Sequence, residues 1–271
     1  MTSSREWRRY FEQNANSLLE IPWHLGAELT AEETAAIARS LKEFQAGESS
    51  EGKHLFRYAE QYAERSGDHE YLAAIRLFIK EEQRHGRDLG RFLTINGIAP
   101  VGTTLTDRVF RKLRNLFGGL ETSIAVLITA EIIAKVYYLV IRQATDSVIL
   151  RTLCDQILRD ELRHVQYQSQ QLARLRQDRG MLGNAATVLF QRALCFGATM
   201  IVALTHRRAI RRGGLSFHDW WRSCWAEFDE AFAVGSPQPA ARPAEALISD
   251  QTHARKQHLA VASRSAVAER H

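Results

Sequence analysis

Two Glu-x-x-His tetrads on apolar helical stripes constrain this chain more than any other feature. Glu82-Gln83-Arg84-His85 lies in a segment where Ile75, Phe78, Ile79, Leu89 and Phe92 recur at helical spacing. Glu161-Leu162-Arg163-His164 lies in another, marked by Leu150, Leu153, Ile157 and Leu172. A Glu and a His three positions apart project from one helix face. In both copies that face is the apolar stripe, which points inward. An ionised carboxylate among Ile and Phe is costly unless something compensates its charge, and a metal ion would do so. A fold built around such a pair is helical, and two further helices are needed to supply one carboxylate each.

The rest of the chain supports an all-α reading. Five prolines and 16 glycines in 271 residues leave few breaks, and no strand pattern emerges. Trp7, Tyr10 and Phe11 mark a short N-terminal helix, followed by a linker broken at Ile21-Pro22-Trp23; together these form residues 1–30. Thr30 and Glu33 read as a capping box. The first long helix is expected from Ala31 through Leu41, Phe44, Leu55, Ala59 and Tyr62 to Ser66-Gly67-Asp68. The second is expected over His69–Asn96, the third over Leu120–Ala144 and the fourth over Ser147–Gln177. Two helical hairpins in succession predict a four-helix bundle over residues 31–178. Additional C-terminal helices, Ala185–Ile210 and Phe217–Phe232, are expected within 179–234. Residues 235–271, which hold three of the five prolines, read as a disordered tail.

The remaining carboxylates follow from position. Glu131 is the one acidic residue in the middle of the apolar third helix. The first helix offers Glu48 or Glu51. Glu48 is seven residues from both Leu41 and Leu55 and sits near the stripe centre; Glu51 falls toward its edge and is held in reserve. Glu48 to Glu82 spans 34 residues and Glu131 to Glu161 spans 30, each a helix–turn–helix return. The expected metal ligands are therefore Glu48, Glu82, His85, Glu131, Glu161 and His164. Four carboxylates and two imidazoles suit iron, manganese or a mixed pair better than zinc. A third Glu-x-x-His, Glu51-Gly52-Lys53-His54, places His54 off the stripe and reads as surface.

This arrangement resembles the ferritin-like di-iron carboxylate superfamily. Asp160-Glu161-Leu162-Arg163-His164 is similar to the DExRH motif of multicomponent bacterial monooxygenases and the ribonucleotide reductase small subunit. Glu81-Glu82-Gln83-Arg84-His85 is the same motif with Glu for Asp. Ala46-Gly47-Glu48-Ser49 resembles a rubrerythrin helix, and the third and fourth helices resemble those of aldehyde-deformylating oxygenase. The resemblance covers about Leu41 to Gln177. It implies two iron ions, with Asp160 orienting His85, Glu81 orienting His164, and Arg84 and Arg163 holding those carboxylates. It implies an oxidase or oxygenase using O2 or peroxide on a small organic substrate, with room for an electron-donor protein. Lys135, one turn after Glu131, departs from the pattern. It is expected to face inward, either in a salt bridge to a carboxylate or tuning the oxygen side. Leu89 stands where the reductase subunit has its radical tyrosine; Tyr58, Tyr137, Tyr138 and Tyr167 read as core or boundary aromatics, with a role as redox neighbours of the site as the alternative.

Other functions fit less of the chain. Iron or peroxide handling shares the ligands, but the rubredoxin cysteines of rubrerythrins are missing, and the helices after Gln177 exceed a minimal ferritin subunit. tRNA hydroxylation would use the net charge of +5, yet no basic platform interleaved with aromatics is visible. A non-catalytic bundle with a relic acidic core is the remaining reading. No DNA partner is expected, and a homodimer is compatible with the pattern. Cys154, Cys195 and Cys224 form no CxxC pair, and the N-terminus does not read as a signal peptide, so a cytoplasmic location is expected. The charge-free run Ala193–Thr205 spans about 20 Å as a helix, short of the ~30 Å hydrocarbon layer. A packed helix is expected there, with a peripheral membrane contact through residues 185–225 as the alternative. Arg108, Arg111, Lys112 and Arg114 read as a solvated helix face.

Overall fold

The computed structural model describes residues 1–49, 52–99, 101, 118–177 and 180–233. Glu51, the basic residues Arg108 to Arg114 and the C-terminal tail expected to be disordered lie outside the described residues. Among the described residues all regular structure is helical. The helices are α1 (Ser4–Asn14), α2 (Ala31–Glu48), α3 (Lys53–Ser66), α4 (His69–Ile95), α5 (Leu120–Ala144), α6 (Val148–Arg176), α7 (Met181–Thr205), α8 (Arg207–Arg212) and α9 (Phe217–Phe232), with a 3-10 turn at Trp23–Leu25.

Local chemistry sets the helix starts. Thr30 and Glu33 close a reciprocal capping box on α2, and Ser3 with Glu6 and Ser216 with Asp219 do the same for α1 and α9. Asp68 caps α4 by accepting from the Tyr71 N–H. The α6 start carries two caps: Ser147 Oγ accepts from Leu150 N, and the Glu28 carboxylate accepts from Ser147 Oγ, Val148 N and Ile149 N. A carboxylate at a helix N-terminus is favoured by the helix dipole. Glu33 reaches beyond its own box to Thr145 Oγ1 at 3.0 Å and Asp146 N at 2.7 Å, which ties the start of α2 to the α5–α6 turn.

Helix α5 is the centre of the molecule. It packs along α6 and also contacts α2, α3, α7, α8 and α9. Ile124, Ile128, Ile132, Val136, Val140 and Ile141 are buried on several sides of it. That surround explains why its composition is apolar all round. Helix α4 packs against α1, α2, α3 and α6. Trp7 and Phe11 of α1 enter the core beside Tyr71, Phe78 and Tyr167. The N-terminal helix is thus part of the packed body.

Two expected helices are each divided. The first long helix stops at Glu48 and restarts at Lys53. Gly52 takes a left-handed conformation with φ +63°, and a Cβ there would lie 2.8 Å from the Ile79 side chain. At Gly52, where α3 begins, the chain is outside helical geometry and only glycine fits that approach to α4. The fifth expected helix spans Met181–Thr205 and breaks at His206 before α8. His206 is buried, and its Nδ1 lies 2.8 Å from Ser40 Oγ of α2, so a tertiary contact interrupts a run that its composition would continue.

Candidate metal centre

Helices α2, α4, α5 and α6 each bring acidic side chains to one buried cluster. Ligand atoms of Glu48, Glu82, His85 and Glu161 lie within 4.8 Å of one another, and so do those of Glu82, Glu131, Glu161 and His164. Glu82 and Glu161 belong to both groups. His85 Nδ1 lies 3.7 Å from both Glu82 Oε1 and Glu161 Oε1. His164 Nδ1 lies 3.0 Å from Glu82 Oε1, 3.6 Å from Glu161 Oε2 and 3.8 Å from Glu131 Oε2. Glu161 and both histidines are sealed from solvent, whereas the Glu82 side chain keeps 16% exposure. The cluster is most open on the Glu82 side.

The far ring nitrogens are held from behind. His85 Nε2 is 3.0 Å from Asp160 Oδ2, and His164 Nε2 is 2.9 Å from Glu81 Oε2. A carboxylate acceptor at Nε2 places the ring proton there and turns the Nδ1 lone pair toward the cluster. Arg84 ion-pairs with Asp160, and Gln156 Nε2 donates to both Asp160 oxygens at 3.0 Å. Arg163 does not hold Glu81. It is exposed, donates to Gln166 at 2.9 Å and lies over the Tyr10 ring. The Glu81 carboxylate instead accepts from Asn14 Nδ2 at 2.7 Å, and the same nitrogen donates to Asp160 Oδ1 at 2.8 Å. One amide from α1 therefore joins the two histidine supports. Asn14 escapes the motif reading, although it lies on the same face of α1 as Trp7 and Phe11, seven and three residues before it.

Two further side chains are placed by the fold alone. Tyr138 Oη donates to Glu48 Oε1 at 2.6 Å, a link from α5 to the end of α2. Lys135 is buried, but its ammonium pairs with Glu227 of α9. The expected inward-facing lysine thus serves the contact between α5 and the C-terminal helix.

The electrostatics divide the carboxylates: Glu48, Glu82 and Glu161 resist ionisation, whereas Glu131 and Asp160 favour it. Burial pushes Glu48 up to about 8, with the Glu82 charge adding to it, and pushes Glu82 up to about 7, with Glu131 adding. Burial and the neighbouring Glu131 raise Glu161 well above the carboxylate range. Burial also acts on Glu131, but hydrogen bonds from Glu161 and His164 outweigh it and lower that group. Burial opposes ionisation of Asp160 too, yet the His85 hydrogen bond and charge hold it well below its usual value. Burial works against a charged His164, but its four glutamate contacts win and raise it. Glu82 Oε1, Glu131 Oε1, both Glu161 oxygens and both histidine Nδ1 atoms are buried without a hydrogen bond of regular geometry. Buried polar atoms seldom stay so. Donors of this type, converging at this spacing, fit cations: these residues could hold metal.

The three cysteines are free, buried and apart from the cluster's donor groups. His54 is exposed. No family model, curated protein or solved structure matches this chain. The fold and the site therefore define it as an all-helical protein with a buried carboxylate–histidine cluster able to bind metal.

Proposed function

We propose that this protein is a non-haem di-iron oxidase or oxygenase, built on a ferritin-like four-helix bundle over residues 31–178 with helical additions on either side. The observation that carries this reading is the pair of four-residue donor groups sharing Glu82 and Glu161. Two groups that overlap in two carboxylates suit two adjacent cations better than one. Glu48 and His85 would complete one position, and Glu131 and His164 the other. Oxygen-rich sets with one imidazole each fit iron or manganese. When bound, a pair of iron ions supplies the redox chemistry that couples reduction of O2 or peroxide to oxidation of an organic substrate.

The chain's own residues have definite tasks in this reading. Asp160 and Glu81 keep the Nε2 protons of His85 and His164 and so aim both Nδ1 atoms. Tyr138 fixes Glu48 Oε1, which leaves its other oxygen for the cluster. Phe78, edge-on to His164 with ring centroids 4.7 Å apart, and Phe11 at 6.1 Å exclude water from that side.

Metal analysis and an absorption spectrum of the purified protein test the centre. Two irons per chain with a charge-transfer band on exposure to O2 are expected. Zinc alone, or no metal, would overturn the proposal. Fe(II) oxidation at full speed with no organic substrate present would replace it with iron handling by the same residues.

A further inference from the structure

Helix α7 is long and apolar enough to cross a membrane by length and composition, as is α5, but the two are placed differently. The most apolar stretch of α5 is 89% buried inside the protein, while that of α7 is 33% buried. Met181, Leu182, Val188, Leu189, Phe196 and Leu204 of α7 face solvent. Its other face is committed to the protein. Gln191 Nε2 donates to Ala125 O and Thr129 Oγ1, both at 2.8 Å, and Trp220 Nε1 donates to Thr199 O at 3.1 Å. Crossing a bilayer would strand those polar groups. Lying along a surface leaves them intact.

The surroundings of the stripe indicate which surface. Trp221 of α9 packs edge-on against Phe196, with ring centroids 5.3 Å apart, and stacks on the half-exposed Phe217 at 6.3 Å. Indole and phenyl rings beside an apolar stripe suit the boundary between headgroups and acyl chains. Arg207, Arg208 and Arg211 of α8 and Arg222 of α9 are exposed, and none has a carboxylate within ion-pair distance among the described residues. Arg212 differs in pairing with Glu32. Neither α7 nor α8 contains an Asp or Glu. A second copy docked on this face would bring apolar surface and arginines, and the one carboxylate at the start of α9, Asp219, is engaged with Ser216 in the capping box. Anionic headgroups meet both needs.

We propose that α7, α8 and the start of α9 seat this protein on an anionic membrane surface, with α7 lying in the interface and the four arginines on lipid phosphates. Co-sedimentation of the full chain with vesicles of phosphatidylcholine alone, and with added phosphatidylglycerol, tests this. The protein should pellet with the anionic vesicles, stay in solution with the neutral ones, and lose at least tenfold in binding between low and high salt. L189E/F196E and R207A/R208A/R211A should each abolish pelleting. All five side chains are exposed, so circular dichroism should be unchanged. Three results would each overturn the proposal. One is protein that stays in the supernatant with both vesicle types. Another is equal binding to both. The third is a dimer by light scattering that L189E/F196E dissociates.

Discussion

Asn14 is the side chain through which the two halves of the cluster meet. Its amide nitrogen donates to Glu81 and to Asp160, and each of those carboxylates holds one histidine. Removing it takes that donor from Glu81, while Asp160 keeps Arg84 and Gln156. Asn14→Ala should weaken metal binding by roughly 10- to 100-fold, in line with the usual cost of losing such outer partners. Competition against a chelator of known affinity measures this, and wild-type affinity would show that Asn14 only packs. Lys135 gives a contrasting case. With both partners buried, Lys135→Met leaves the Glu227 carboxylate without its ammonium, which should cost about 3–5 kcal/mol. Lys135→Met/Glu227→Leu removes both charges and should recover most of that in urea unfolding. Both side chains also show the limit of one-dimensional reading. Glu-x-x-His is a relation within one helix and was legible. The partner of Lys135 lies 92 residues away, and Asn14 meets Glu81 across 67. Arg163 illustrates the converse: its motif position was clear, but α1 had already filled the place beside Glu81.

At the scale of elements, the close approaches decide where the site sits. Glu48 is the last residue of α2, and Gly86 of α4 lets that end come near: a Cβ on Gly86 would lie 2.7 Å from Ser49 Oγ and 3.0 Å from Ser49 N. Gly86→Ala should push the α2 end outward. It should weaken the group containing Glu48 while sparing the group containing Glu131, which a two-site metal titration would resolve. The His206 junction has a pH signature. Burial lowers His206 to about 4, against the pull of Glu43. Its folded pKa is below the unfolded value near 6.5, so its stabilising contribution is present above pH ~6.5. It is lost as pH falls toward about 4, because the unfolded chain takes a proton that the folded one refuses. The wild-type urea midpoint should therefore drop more between pH 7 and 4 than that of His206→Asn. Parallel curves would contradict this. The fourth and sixth expected helices were legible because their apolar periods and caps are local, and the third because its apolar run is unbroken by Gly or Pro. The breaks at Gly52 and His206 were not, because each is imposed by a contact with another helix.

For the whole molecule, the arrangement is a central apolar helix wrapped by the others, with the acidic cluster set off-centre and the arginine-rich helices outside it. A chain of net charge +5 thus buries its carboxylates at the site on which the proposed chemistry rests. Cations at the cluster should also hold α2, α4, α5 and α6 together, since anything bound to the folded state alone stabilises it. Removing metal with a chelator should lower the thermal midpoint, and adding Fe(II) or Mn(II) back should restore it. The central claim is that Glu82 and Glu161 are shared by two metal positions. The direct measurement is metal content per chain, by elemental analysis, for Glu161→Ala beside Glu48→Ala. The account predicts that Glu161→Ala loses both ions and that Glu48→Ala keeps one. Retention of one full-affinity ion in Glu161→Ala, or a metal-free wild-type protein of undiminished stability, would contradict it.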